Sequence, residues 1–97
     1  MKLKTIFTFE TDEGHWLRIP KNFAVIEASE EHIIEQCVKA QNLDDLPPII
    51  ERVVVNEAKD LLANLELEEN YPEYTGNFGF EMEALGWWEN FKLKLSF

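Results

Sequence analysis

The stretch that decides the fold is residues 3–19, LKTIFTFETDEGHWLRI. Its first part alternates, which is typical of a β-strand with one buried face, and the residues on that face are Leu3, Thr5, Phe7 and Phe9. Residues 12–14 follow, where Asp and Gly suit a three-residue hairpin loop with Gly14 in the left-handed conformation. A second strand is therefore expected to begin at about Trp16.

The register of this hairpin follows from its loop. If Thr11 faces His15, then Phe9 faces Leu17 and Phe7 faces Ile19, so that apolar pairs share one face. Pro20 cannot donate to the ladder, and residues 23–26 are expected either to continue the strand after a kink or to form an edge.

A second hairpin is predicted at the other end of the chain, in residues 78–97, FGFEMEALGWWENFKLKLSF. Residues 78–84 and 91–97 both alternate, and the turn falls at residues 86–89. The outward charges favour a register in which Glu83 faces Lys92 and Glu81 faces Lys94.

Two helices are predicted between the hairpins. The first is expected to start from Ser29 as N-cap and to end near Asn42. The second opens at residues 47–48, two prolines that are tolerated at a helix start, and is about five turns long. The apolar stripe of this second helix is Ile50, Val54, Ala58, Leu61, Leu62 and Leu65.

These elements give the order ββααββ. We expect one α+β domain over residues 1–97, a two-layer sandwich in which two helices cover one face of a four-stranded antiparallel sheet.

The charge of −10 is concentrated in the middle of the chain. Residues 29–70 hold three bases against eleven acids, a net −8. Such a field repels nucleic acid and anionic lipid and attracts basic surfaces, and no basic stripe for direct nucleic-acid binding is present. The single cysteine, Cys37, excludes an intrachain disulfide, and neither a leader nor an apolar span is visible, so a cytoplasmic protein is expected.

Standard catalytic and metal sites are not recognisable in the sequence. Cys37 falls on an apolar helical stripe, where a buried, inert thiol is commoner than a reactive one. His15 and His32 do not converge with other ligands, and the acids of residues 66–69 are more typical of a solvated loop than of a divalent-ion site. We therefore expect neither an enzyme nor a bound cofactor.

Two features favour binding to a protein. The first is an array of acids with few bases at helical spacing, for which a soluble surface is the simpler alternative. We call the following seven residues the helical carboxylates: Glu30, Glu31, Glu35, Asp44, Asp45, Glu57 and Asp60. The second is aromatic density near the C-terminal hairpin, where Trp87 and Trp88 are candidate interface anchors and a lid over the core is the alternative; the other members are Tyr71, Tyr74 and Phe78.

The leading hypothesis is a non-catalytic inhibitor that blocks a basic, nucleic-acid-handling protein by imitating backbone phosphates. Phage anti-defence inhibitors and nuclease immunity proteins use this physical logic. The alternative is a small structural or adaptor subunit that forms a homodimer through the aromatic hairpin or the edge strand at residues 23–26. A small-molecule or metal-binding domain ranks below both.

Overall fold

The sheet is built around the first strand. In a computed structural model that describes residues 1–68 and 72–86, β1 (Lys2–Thr11) lies between β2 (Trp16–Glu27) and β3 (Tyr74–Leu85), and both pairings are antiparallel. The prediction of a four-stranded sheet in ββααββ order is therefore wrong. Over the described residues the sheet has three strands, in the order β2-β1-β3, and two α-helices complete an α+β fold.

The N-terminal hairpin has the predicted register. Phe9 pairs with Leu17 and Phe7 with Ile19. The Thr11 amide donates to the His15 carbonyl at 2.8 Å, and Gly14 adopts a φ of +84°, which a residue with a Cβ would rarely take. The loop residues and the apolar alternation both predicted the same register, which is the register that the structure has.

The break expected at Pro20 is a bulge. The register of β1 and β2 shifts between Thr5 and Phe7, so that Ile6 alone spans the interval that β2 fills with residues 20–23. Beyond the bulge β2 continues to Glu27 as an edge strand of the described sheet.

The sequence did not predict that β3 pairs with β1, and the reason is physical. Alternation determines which residues face the core, but it does not determine which strand lies alongside. β3 pairs with β1, where Phe78 faces Phe9 and Phe80 faces Phe7. The rings of Phe7 and Phe78 meet edge to face, with centroids 6.0 Å apart. The predicted partner strand, residues 91–97, lies outside the described residues.

Both predicted helices are present, with different bounds for the first. α1 spans Glu31–Lys39, a 3-10 turn spans Leu43–Asp45, and α2 spans Pro48–Glu66. Ser29 was predicted to be the N-cap of α1, and this prediction is wrong. Glu30 holds that position in an extended conformation, and its carbonyl accepts from the amides of Ile33 and Ile34, each at 3.1 Å. Pro48 is the first residue of α2, as predicted.

The core lies between the helices and one face of the sheet. α1 packs against β3 and α2 against β2. The predicted stripe of α2 is confirmed, since Leu61 and Leu62 are half-buried beside four buried members, which are Ile50, Val54, Ala58 and Leu65. From β1 the core receives Leu3, Phe7 and Phe9, all fully buried.

Candidate functional site

The helical carboxylates are all exposed, and they occupy three elements. Glu31 and Glu35 lie one turn apart on α1, at the spacing that brings side chains onto one helix face. Asp44 and Asp45 lie in the 3-10 turn, and Glu57 and Asp60 lie on α2. Because α1 packs on β3 while α2 packs on β2, the acids of the two helices stand over different strands of the sheet.

Two of the helical carboxylates have local partners. One Glu30 oxygen lies 3.2 Å from Nε2 of His32. Asp45 accepts from the backbone amides of Gln41 and Asn42, each at 3.1 Å, and so caps the 3-10 turn. This capping role gives Asp45 a structural explanation that the sequence reasoning missed, although an acid three residues after Asn42 is the signal of such a cap.

The remaining five helical carboxylates have no base within 4.0 Å among the described residues, and they are Glu31, Glu35, Asp44, Glu57 and Asp60. Lys59, the nearest base in sequence to Glu57 and Asp60, instead lines a groove with Arg52 and Glu51. α2 therefore keeps its bases apart from Glu57 and Asp60, because residues one or two positions apart on a helix do not face each other.

Glu57 and Asp60 line a groove of about 370 Å³ between α2 and β2. The opposite wall comes from the bulge of β2, where Asn22 and Phe23 stand across from Asn64. The sequence placed both acids on α2 but did not place the bulge beside them, since Pro20 signals a break without giving its direction. Asn22 and Phe23 are thus new members of the candidate surface.

Three of the four carboxylates on the described strands are paired with other groups, and the fourth, Glu27 at the end of β2, has no base within 4.0 Å among the described residues. Glu81 accepts from Nε of Arg18 at 2.6 Å, and Glu83 lies 4.0 Å from Nζ of Lys4. Glu10 accepts from Thr75 and Asn77, at 2.9 and 3.1 Å. The lysines predicted to face Glu81 and Glu83, Lys94 and Lys92, lie outside the described residues.

The aromatic cluster predicted at the C-terminal hairpin divides into two parts. Tyr74 and Phe78 belong to the core, and the ring of Tyr74 meets that of Phe9 edge to face at 6.0 Å. Both side chains pack against the core, and the inward position predicted for Phe78 is confirmed. Tyr71, Trp87 and Trp88 lie outside the described residues. The sequence reasoning overlooked Trp16, which is 51% exposed on the edge strand β2.

Cys37 is fully buried on α1, which confirms the prediction of a core thiol. Burial raises the pKa of this thiol, because the thiolate would lose its hydration there. The neutral form is therefore favoured, and this form is a poor nucleophile.

A second pair of acids lies beside the hairpin loop. The Asp12 amide donates to the carbonyl of Glu73 at 2.9 Å, and the two side chains also meet. A hydrogen bond with the Asp12 carboxyl, reinforced by its negative charge, raises the pKa of Glu73. Over the described residues, no group of three or more His, Cys, Asp or Glu side chains has the geometry to hold a metal ion.

None of the helices among the described residues has both the length and the apolar character needed to cross a bilayer. Comparisons of this chain with family models, curated proteins and solved structures found no match. Function must therefore be inferred from the geometry and charge of the chain itself.

Proposed function

We propose that this protein is a non-catalytic inhibitor that binds a basic, nucleic-acid-handling protein through its helical carboxylates. In that role the carboxylates occupy positions that backbone phosphates take in the partner's groove. Binding then competes directly with nucleic acid, and no chemistry is required of the inhibitor.

The observation that carries the proposal is that most of these acids have no base beside them among the described residues. Five of the helical carboxylates are exposed and have no base within 4.0 Å among the described residues, whereas Glu81 and Glu83 of the sheet are paired with Arg18 and Lys4. An unpaired surface carboxylate can form a new ion pair with a partner without first breaking one. Like-charge crowding also costs folding stability, and a binding role is one reason to retain it.

The chemistry of a nucleic-acid groove matches this surface. Lysine and arginine side chains that neutralise phosphates supply most of the affinity of such a groove, and they do so without reading sequence. Carboxylates at one-turn spacing, as in Glu31 and Glu35, present the same sign of charge on a rigid element. Long-range attraction between the two surfaces then accelerates association and weakens with salt.

The test uses two double variants that change the net charge equally. Glu57→Gln with Asp60→Asn removes two helical charges, and Glu81→Gln with Glu83→Gln removes two from the sheet. Proteins captured from the native host at low salt are identified, and the affinity of each variant for the purified partner is measured at two salt concentrations.

We expect a basic nucleic-acid-binding partner that releases its nucleic acid when the inhibitor binds. The helical pair should weaken that binding by about tenfold, roughly 1.4 kcal/mol, and mainly through the association rate. The sheet pair should weaken it less than twofold. Equal losses would mean that net charge alone attracts the partner, and a captured partner that keeps its nucleic acid would contradict the proposal.

The second candidate function, a homodimeric subunit, is favoured by the exposed edge of β2. This strand carries residues 23–26 at the edge of the described sheet, and Trp16 and Val25 on it are 51% and 40% exposed. Edge strands can pair with a second copy through their free backbone groups. A concentration-dependent dimer in sedimentation equilibrium that Val25→Lys abolishes would favour this function over the inhibitor.

A further inference from the structure

An apolar pocket lies where the end of β2 meets the starts of both helices. Its volume is about 290 Å³. Ile33 of α1 and Ile49 and Ile50 of α2 contribute apolar walls, and the exposed acids Glu27 and Glu30 line it as well. The pocket thus combines an apolar surface with negative charge.

Ile49 is the unusual member of this pocket. It is 75% exposed, whereas its neighbour Ile50 belongs to the buried stripe of α2. A single exposed isoleucine needs no explanation by itself. Here, however, it stands at an open pocket beside Ile33 and Ile50, and this pocket has the room to enclose an apolar side chain from another molecule.

The charged groups around the pocket indicate which class of molecule it would bind. Among the described residues, its lining contains two carboxylates and no lysine or arginine. The amino group of Met1 donates to the Ala28 carbonyl at 2.9 Å, and His32 lies against Glu30. Lys2 faces Glu27 across the β1–β2 ladder but does not come within 4.0 Å of its carboxylate. A second copy would bring the same carboxylates and another −10 of net charge, and anionic lipid would meet the same repulsion.

We propose that this pocket receives an apolar side chain from a basic segment of the partner protein, with adjacent Lys or Arg side chains pairing with Glu27 and Glu30. This inference rests on the proposed function and adds a specific anchor to it. The helical carboxylates attract the partner over a distance, and the pocket then determines which basic segment fits.

The experiment uses two synthetic peptides, acetyl-RRLRR-amide and acetyl-RRGRR-amide, titrated into the full chain. The peptides carry equal charge and differ in one apolar side chain. The unmodified protein should bind the leucine peptide about tenfold more tightly, which corresponds to 1.4 kcal/mol. Amide chemical shifts should move most at Ile33, Ile49 and Ile50.

Ile49→Ser should remove this preference without altering the affinity for the glycine peptide. Leu67→Ser is the matched control, because Leu67 is 84% exposed at the other end of α2 and should leave the preference unchanged. Both side chains are mostly in solvent, so the unfolding midpoints of the two variants should stay close to that of the unmodified protein.

The other possible results of this experiment distinguish a failure of the pocket from a failure of the proposed function. Equal binding of the two peptides, or a preference that survives Ile49→Ser, overturns the pocket and leaves the proposed function standing. Absence of binding by either peptide at low salt overturns both. Concentration-dependent shifts at Ile49 without peptide, or binding to anionic vesicles, would assign the pocket to a second copy or to a membrane and would contradict the inference.

Discussion

The two layers of this domain treat their carboxylates in opposite ways. On the sheet, Glu83 of β3 lies near Lys4 of the adjacent strand β1, and Glu81 of β3 reaches across β1 to Arg18 of β2. On the helices, acids such as Glu57 and Asp60 are exposed and have no base within 4.0 Å among the described residues. Glu81 and Glu83 are therefore satisfied within the sheet, while most of the helical carboxylates are left for solvent or for a partner.

This difference is more informative than the net charge. A protein that needed only solubility could distribute its acids evenly, with both signs interspersed. Here the four bases of the N-terminal hairpin all lie on the sheet strands, and two of them, Lys4 and Arg18, pair with acids of β3; Lys4 also lies 4.7 Å from the centre of the Phe23 ring. The bases of α2 lie in a groove separate from Glu57 and Asp60.

The largest effect on stability should come from the buried face of the sheet. Phe9 is fully buried and contacts the rings of Phe7, Tyr74 and Phe78. Phe9→Ala should lower the free energy of unfolding by about 3–5 kcal/mol, because it leaves a cavity that rigid neighbours cannot fill. Chemical denaturation measures the loss. Leu67→Ala, at a site that is 84% exposed, should cost less than about 0.5 kcal/mol.

If Phe9→Ala fails to fold, Phe9→Leu provides a milder test of the same contact. It keeps an apolar side chain of smaller volume and should still cost more than Leu67→Ala. Equal effects at Phe9 and Leu67 would mean that the aromatic cluster is not the centre of the core.

The register of β1 with β2 could be predicted from the sequence, whereas the pairing of β3 with β1 could not, and the reason is physical. Loop chemistry at residues 12–14 restricts the first hairpin to one register, so β1 and β2 were predictable. Nothing local restricts the neighbour of β3. Glu81 and Glu83 were expected to pair with Lys94 and Lys92, which lie outside the described residues. The ion pairs that the structure shows, with Arg18 and Lys4, come from strands that alternation within β3 could not identify.

A smaller effect is expected at the buried face of the helical layer. Cys37→Ala should lower the free energy of unfolding by roughly 1–2 kcal/mol and leave binding unchanged, because the thiol only fills space in the core. Since burial raises the pKa of this thiol, a thiol reagent should label the native protein far more slowly than the unfolded chain. Fast native labelling, or a folded variant that no longer binds, would contradict this assignment.

The candidate surface was predictable in composition but not in arrangement. Helical spacing identified which acids would be exposed. It could not show that Asp45 caps the 3-10 turn, or that a bulge places Asn22 across a groove from Glu57 and Asp60. Both facts depend on contacts between segments that are separate in the sequence. Periodicity within one segment carries no information about such contacts.

The smallest expected change in the free energy of unfolding distinguishes the two layers best. It should be a loss for a sheet carboxylate, and no change or a gain for a helical carboxylate. Glu81→Gln removes an ion pair whose partners are both more than half exposed, so it should cost only about 0.2–1 kcal/mol at low salt. Asp60→Asn removes no such pair and relieves repulsion from Glu57 one turn away, so it should leave stability unchanged or raise it by about 0.2–0.5 kcal/mol. Chemical denaturation at low and high salt measures both variants, and screening should bring the two values together. A loss at Asp60 equal to that at Glu81 would reveal a stabilising partner for the helical carboxylate, and the distinction between the layers would then fail.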